Sequence, residues 1–322
     1  MTILTRPQGR LLSVASKLPV FGFWQGLLMG FTDYFRTTKR WSLTGLISNQ
    51  KPSFRVQKYD KYTELLRSLC RSNFLQLVRT DLLNPDLTNI GVRSILKVTD
   101  KAVRPFSDEF VGRIHYNTSA VTCTPHDLLV SAALLTFHFE RGFQLSRPVK
   151  WRRTASDADC PLPDGVIESP FGEMWAIEVE RHVNRKHLEG HIIYHGKGSK
   201  VLLLFEKLTR PVRDYTIDLF RKYQLKNWYF TSCKAFFADG GKGPWVNLQD
   251  RFFFIGDNGE MVPEEEILSS SNGHSSKTSD FGSIVLPVSE PLSVAGFASP
   301  AGPTGPAVGF GPAGAGGGVA FD

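Results

Sequence analysis

Hydrophobic and polar positions alternate along this chain in two rhythms, and the change from one to the other predicts most of its elements. From Tyr59 to Cys70, Tyr62, Leu65, Leu66 and Leu69 recur at helical spacing beneath a charged face. Thr124-Pro125 opens a second helix, from His126 to about Glu140, with Leu128, Leu129, Val130, Leu134, Leu135 and Phe139 inward. Short runs then take over: 148–153, 164–168 and 175–180 read as strands. A helix follows over 182–194, and 200–205 (KVLLLF) is a continuous apolar run suited to a strand buried on both faces. Residues 212–223 are amphipathic again, and 228–237 read as a further strand. Helix, three strands, helix, strand is an α/β order.

The first half of the chain is less regular. Residues 11–35 suit one or two amphipathic helices packed on the main body. The uncharged stretch 18–32 is shorter than the roughly 20 apolar residues of a spanning helix, and Pro19, Gln25 and three glycines interrupt it, so no membrane span is expected. A second apolar piece covers 74–83, and Asn84-Pro85-Asp86 breaks the chain. Thr88 then caps a helix from Asn89 to about Val98, and 110–116 alternate like a strand. That helix would bury Val92, Ile95 and Leu96 and expose Arg93, Ser94 and Lys97.

These rhythms divide the chain into an apolar and then basic extension over 1–55, a small helical module over 56–120, an α/β domain over 121–262 and a tail over 263–322. The tail is rich in Gly, Pro, Ala and Ser. It cannot bury enough surface to offset its ordering entropy, so disorder is expected, and its Gly-Pro steps keep no collagen period. The formal net charge of +7 and pI of about 9.2 favour a polyanionic partner. Cys70, Cys123, Cys160 and Cys233 are scattered without a C-x-x-C pair, which argues against a disulfide framework or zinc knuckle and for a reducing cytoplasm.

The chemistry concentrates in Pro163-Asp164-Gly165 and Glu178-Val179-Glu180-Arg181. On a strand, Glu178 and Glu180 share one face while Ile177 and Val179 share the other. If the two strands pair, Asp164 comes near Glu178, and clustered carboxylates call for a hard cation such as Mg²⁺ or Mn²⁺. On a half-exposed strand the same acids would simply be solvated or paired with Arg181 or Arg185. His187, His191 and His195 follow at i, i+4, i+8 on one helix face, with His182 ahead of them. The H-E-x-x-H zinc signature is absent, so the histidines read as lining the helix beside the acids, within reach of a DNA phosphate. Asp239-Gly240-Gly241-Lys242-Gly243-Pro244 lacks the Walker spacing and reads as a loop.

Pro163-Asp164 with Glu178-Val179-Glu180, in this element order, resembles the PD-(D/E)xK nucleases. A winged helix-turn-helix ahead of such a core, with PDG and then an E-V-E-R run, resembles the MobC-type plasmid relaxases and replication-relaxation proteins over about residues 56–240. The resemblance implies a winged-helix reader followed by a PD-(D/E)xK-like mixed sheet flanked by helices. Asp164, Glu178 and Glu180 would hold Mg²⁺ or Mn²⁺. Glu180 stands where many such nucleases carry lysine, so positive charge would have to come from Lys186, His191 or Arg181, with Glu140 as a further acid. Arg93, Ser94, Lys97, Lys101, Arg104 and Arg113 would face DNA. The implied activity is metal-dependent nicking of double-stranded DNA at a plasmid transfer origin, with relaxosome or coupling proteins as partners. The alternatives are a non-catalytic DNA-binding accessory protein and an endonuclease that cuts both strands.

Overall fold

A computed structural model describes residues 4–38, 43–49, 58–78, 94–103, 125–146, 163–181 and 185–271. They form a mixed α/β structure. The chain begins with α1 (Arg6–Ala15), β1 (Phe21–Gly22), α2 (Phe23–Gly30), α3 (Thr32–Thr38) and α4 (Leu43–Ile47). Gln8 fastens the start of α1 by accepting the Thr5 N–H at 2.8 Å. Every residue of α2 is buried, which accounts for its apolar sequence: it is a core helix rather than an amphipathic one. Its buried Gln25 is satisfied: it accepts from the Gly22 amide and donates to the Ile47 carbonyl. Among the described residues no helix is long and apolar enough to cross a membrane.

Next come α5 (Tyr59–Arg71), β2 (Leu75–Val78), β3 (Ile95–Val98) and α6 (Asp100–Val103). The helix expected over 89–98 is corrected here. Residues 95–98 are instead the central strand of a three-stranded sheet in the order β1-β3-β2, with Phe21 opposite Leu96 and Gln76 opposite Lys97. Ile-Leu-Lys-Val can satisfy either period, and pairing on both edges decides for the strand. Lys97 is consequently only 6% exposed rather than on an open helix face.

The remainder is α7 (Pro125–Glu140), β4 (Gln144–Ser146), β5 (Gly165–Glu168), β6 (Met174–Glu180), α8 (Arg185–His195), β7 (Lys200–Phe205), α9 (Arg210–Tyr223), β8 (Trp228–Ser232), α10 (Cys233–Ala238), β9 (Trp245–Val246), β10 (Phe252–Ile255), β11 (Met261–Pro263) and α11 (Glu264–Ser271). Eight strands form one sheet in the order β11-β10-β9-β8-β7-β6-β5-β4. The β6–β7 and β7–β8 pairs are parallel and the others antiparallel.

Two expectations change, and a third is not reached. The expected strand over 148–153 lies outside the described residues, and the edge strand is β4, just before it. The strand expected over 228–237 stops at Ser232, whose hydroxyl accepts the Ala235 amide at 3.1 Å and caps α10. Ordered structure runs through α11, past the boundary expected at 263; the rest of the tail lies outside the described residues.

The two sheet faces bury different layers. Ile177, Val179, Leu202 and Leu204 pack with α7 and the N-terminal helices in one cluster that reaches from Leu11 to Ile255. Ala176, Val201, Leu203 and Phe205 pack with Leu188 and Ile192 of α8 and with α9. Gly165 lets α7 lie close on β5: a Cβ there would sit 2.6 Å from Leu134 Cδ2. The glycine of the Pro-Asp-Gly run therefore sets how near α7 lies to the strand that carries Asp164.

Candidate metal centre

Glu178 and Glu180 belong to the β6 face that α8 covers. They lie beside Leu203 and Phe205 of β7 and are 2% and 4% exposed. Burying two carboxylates costs several kcal/mol unless they are partnered. The histidines of α8 are those partners. Glu180 Oε1 lies 3.1 Å from His187 Nδ1 and 2.8 Å from His191 Nε2. Glu178 Oε1 lies 3.4 Å from His191 Nδ1 and 2.6 Å from His195 Nε2. The match is geometric. Two residues advance a strand by about 6.6 Å and four advance a helix by about 6 Å, so E-x-E and H-x₃-H-x₃-H keep step. The later glutamate meets the earlier histidines because α8 runs back along β6.

Electrostatics follows from this pairing. Burial alone would lower His191, but its hydrogen bonds with Glu178 and Glu180 raise it to about 10. Burial alone would raise Glu178, but His191 and His195 hold it at about 2. Without a metal the cluster therefore holds an imidazolium between carboxylates at neutral pH.

Asp164 lies one residue ahead of the Gly165–Ile177 pair, at the mouth of the same strand pair. Its Oδ2 accepts the Val179 amide at 2.8 Å and is 3.1 Å from His126 Nε2. Burial and the charge of Glu178 raise its pKa, against the pull of His126 and the Val179 amide. His126, in the first turn of α7, is raised to about 10 by Asp127 and then Asp164.

Two groups of three donors have ligand atoms within 4.8 Å of one another: Glu180 with His187 and His191, and Glu178 with His191 and His195. The donor set therefore fits a divalent cation, and it is richer in imidazole than the carboxylate trio Asp164, Glu178 and Glu180. Asp164 belongs to neither group.

Of the sequence-derived site residues, the structure brings Glu178, Glu180 and His191 together. Lys186 is exposed in the first turn of α8. Arg181 donates to Glu206 at 2.7 Å. Glu140 ends α7, fourteen residues beyond His126, and is therefore about 21 Å along that helix from the Asp164 end; the further acid expected there is corrected. Of the residues expected to face DNA, Ser94 is half-buried just ahead of β3, and Lys97 is buried within it. Lys101 is exposed, donates to the Ser72 carbonyl at 2.8 Å and lies 5.0 Å from the Phe74 ring centroid. Arg93, Arg104 and Arg113 lie outside the described residues. Sequence reading missed His126 and the ligand geometry of His187. Both signals were present, an imidazole in the first turn after Pro125 and an H-x₃-H pair after an E-x-E strand, but neither points to its partner without the fold.

Comparison of the chain with protein-family models, with curated proteins and with solved structures returned no match.

Proposed function

We propose that the cluster between β6 and α8 serves a metal-dependent, DNA-cleaving phosphodiesterase with a PD-(D/E)xK-like core, nicking one strand as a relaxase does. One observation carries this reading: two buried glutamates on one strand meet the imidazoles of α8, and an aspartate at the mouth of the antiparallel neighbouring strand meets His126. The order α7, β4, β5, β6, α8, β7, with β6 and β7 parallel, is compatible with it. A net charge of +7 favours DNA as the polyanion. A DNA-reading module over 56–120 belongs to the same proposal, with β3 standing where the end of its expected recognition helix would be; Lys97, buried in that strand, offers it no DNA contact.

In this reading Glu178 stays ionised and orients His191, while Asp164 fixes the Val179 amide and His126 at the mouth of the site. Glu180, His187 and His191 face the incoming phosphate, and Lys186, exposed beside His187, adds a backbone contact. A bound cation supplies charge neutralisation at the scissile phosphate. Because Glu180 stands in the lysine position, the positive charge at the phosphate comes from the bound cation and from Lys186.

The test is conversion of supercoiled plasmid to open circles with Mg²⁺ or Mn²⁺, comparing the protein with Glu178→Ala. Open circles made only by the unsubstituted protein support the reading. Linear product replaces it with a double-strand endonuclease. DNA that is retarded in a gel yet never cut, with these metals or with Zn²⁺ or Co²⁺, replaces it with a DNA-binding accessory protein.

A further inference from the structure

From the geometry we infer that Glu180 Oε1, His187 Nδ1 and His191 Nε2 form a three-ligand site for a first-row transition ion of the Zn²⁺ or Co²⁺ kind, with Glu178 as the carboxylate that orients His191. This rests on the reading above that the cluster holds a divalent cation, and it names which atoms hold it and which class of metal they select.

Spacing supports these three ligands. Ligands held about 2.1 Å from a tetrahedral or octahedral ion lie about 3.0–3.4 Å from one another. Glu180 Oε1 is 3.1 Å from His187 Nδ1 and 2.8 Å from His191 Nε2, so small movements complete the arrangement. The two rings, one helical turn apart, have centroids 4.4 Å apart. Two histidines at i, i+4 on a helix with one glutamate from elsewhere make a His₂Glu set, which leaves a coordination position open.

The surrounding shell favours the same three ligands. A ligating imidazole usually hands its other ring nitrogen to a carboxylate, which fixes its orientation. His191 has such a partner: its Nδ1 faces Glu178 Oε1 at 3.4 Å, and Glu178 is held in turn by His195 at 2.6 Å. The shell is closed, with His195 and Glu178 side chains 2% and 3% exposed, whereas His187 is 61% exposed. The site is therefore buried on one side and open to solvent on the other. That contrast selects the outer group over Glu178, His191 and His195, which has no comparably exposed member.

Donor chemistry decides the class of metal. Imidazole suits zinc, cobalt, iron and nickel, whereas Mg²⁺ prefers oxygen and keeps its water. Two of the three ligands here are nitrogen, so Mg²⁺ is disfavoured.

The experiment is a Co²⁺ titration of the chelator-treated full chain, followed by visible absorption and equilibrium dialysis, with Zn²⁺ and Mg²⁺ as competitors. A saturable Co²⁺ band is expected, displaced by equimolar Zn²⁺ and not by equimolar Mg²⁺. His187→Ala should weaken Co²⁺ binding at least about tenfold. His187 is exposed, so this variant keeps the fold, which circular dichroism verifies; Glu180→Gln provides a second loss. Co²⁺ binding unchanged in His187→Ala, or displaced equally well by Mg²⁺, overturns the site. Failure here separates from failure of the nuclease reading. Co²⁺ bound as expected with plasmid left intact by every metal keeps this site and removes the nuclease. Plasmid nicked equally with Mg²⁺ by the protein and by His187→Ala keeps the nuclease and removes this site.

Discussion

His191 bridges Glu178 and Glu180: one ring nitrogen lies 3.4 Å from the first carboxylate and the other 2.8 Å from the second. Removing the ring leaves two buried acids side by side on one strand face, Glu178 with His195 and Glu180 with His187. His191→Leu keeps much of the volume and removes the cation, and should cost about 3–5 kcal/mol in urea denaturation of the metal-free protein. Adding Glu178→Gln to it should recover part of that loss. A double variant as unstable as the sum of the two singles would show that the residues do not act as a pair.

The same pair sets a pH window. Glu178 is held at about 2 against an ordinary 4.5, so its contribution is complete above pH 4.5 and fades as pH falls toward 2. His191 is held at about 10 against an ordinary 6.5, so its contribution is complete below pH 6.5 and fades as pH rises toward 10. The stability difference between the metal-free protein and the Glu178→Gln, His191→Gln double variant should therefore peak between pH 4.5 and 6.5 and shrink on both sides. Melting temperatures measured from pH 3 to 9 test this, and a flat difference would contradict it.

Gly165→Ala should destabilise by about 1–3 kcal/mol, because the added methyl meets Leu134. Leu134→Ala loses core packing on its own, yet the two changes together should cost less than their sum. Simple additivity in denaturant melts would mean that α7 shifts freely away from β5 and that the glycine does not set their separation.

What the sequence made legible follows from which interactions decide each element. Helix α7, strands β5, β6 and β7 and helix α9 are set by local periodicity, and their expected spans fall within a few residues of the observed ones. Residues 95–98 are set by partners at 21–22 and 75–78, which no local pattern reveals. Residues 233–238 turn helical because the Ser232 hydroxyl caps them, a cue hidden inside an aromatic run that also suits a strand. In the candidate site, both E-x-E and the histidine spacing were visible. Their meeting depends on α8 running back along β6, which is a property of the crossover rather than of either motif. His126 reaches Asp164 across 38 residues of sequence, and no spacing rule connects them.

The small sheet and the buried helix beside it also constrain the order in which this chain can mature. Phe21 pairs with Leu96, and the Val20 carbonyl accepts the Ser131 hydroxyl at 2.5 Å across 111 residues. A segment made earlier than its partners is thus completed only when they follow it. Until about a hundred further residues have followed it, the apolar surface of α2 lacks its full set of native neighbours, and loop closures of that length add little further entropy cost but considerable delay. Newly made chains will depend on whatever shields that surface in the interval, and conditions that slow synthesis midway should lower yield more than conditions that slow it near the end.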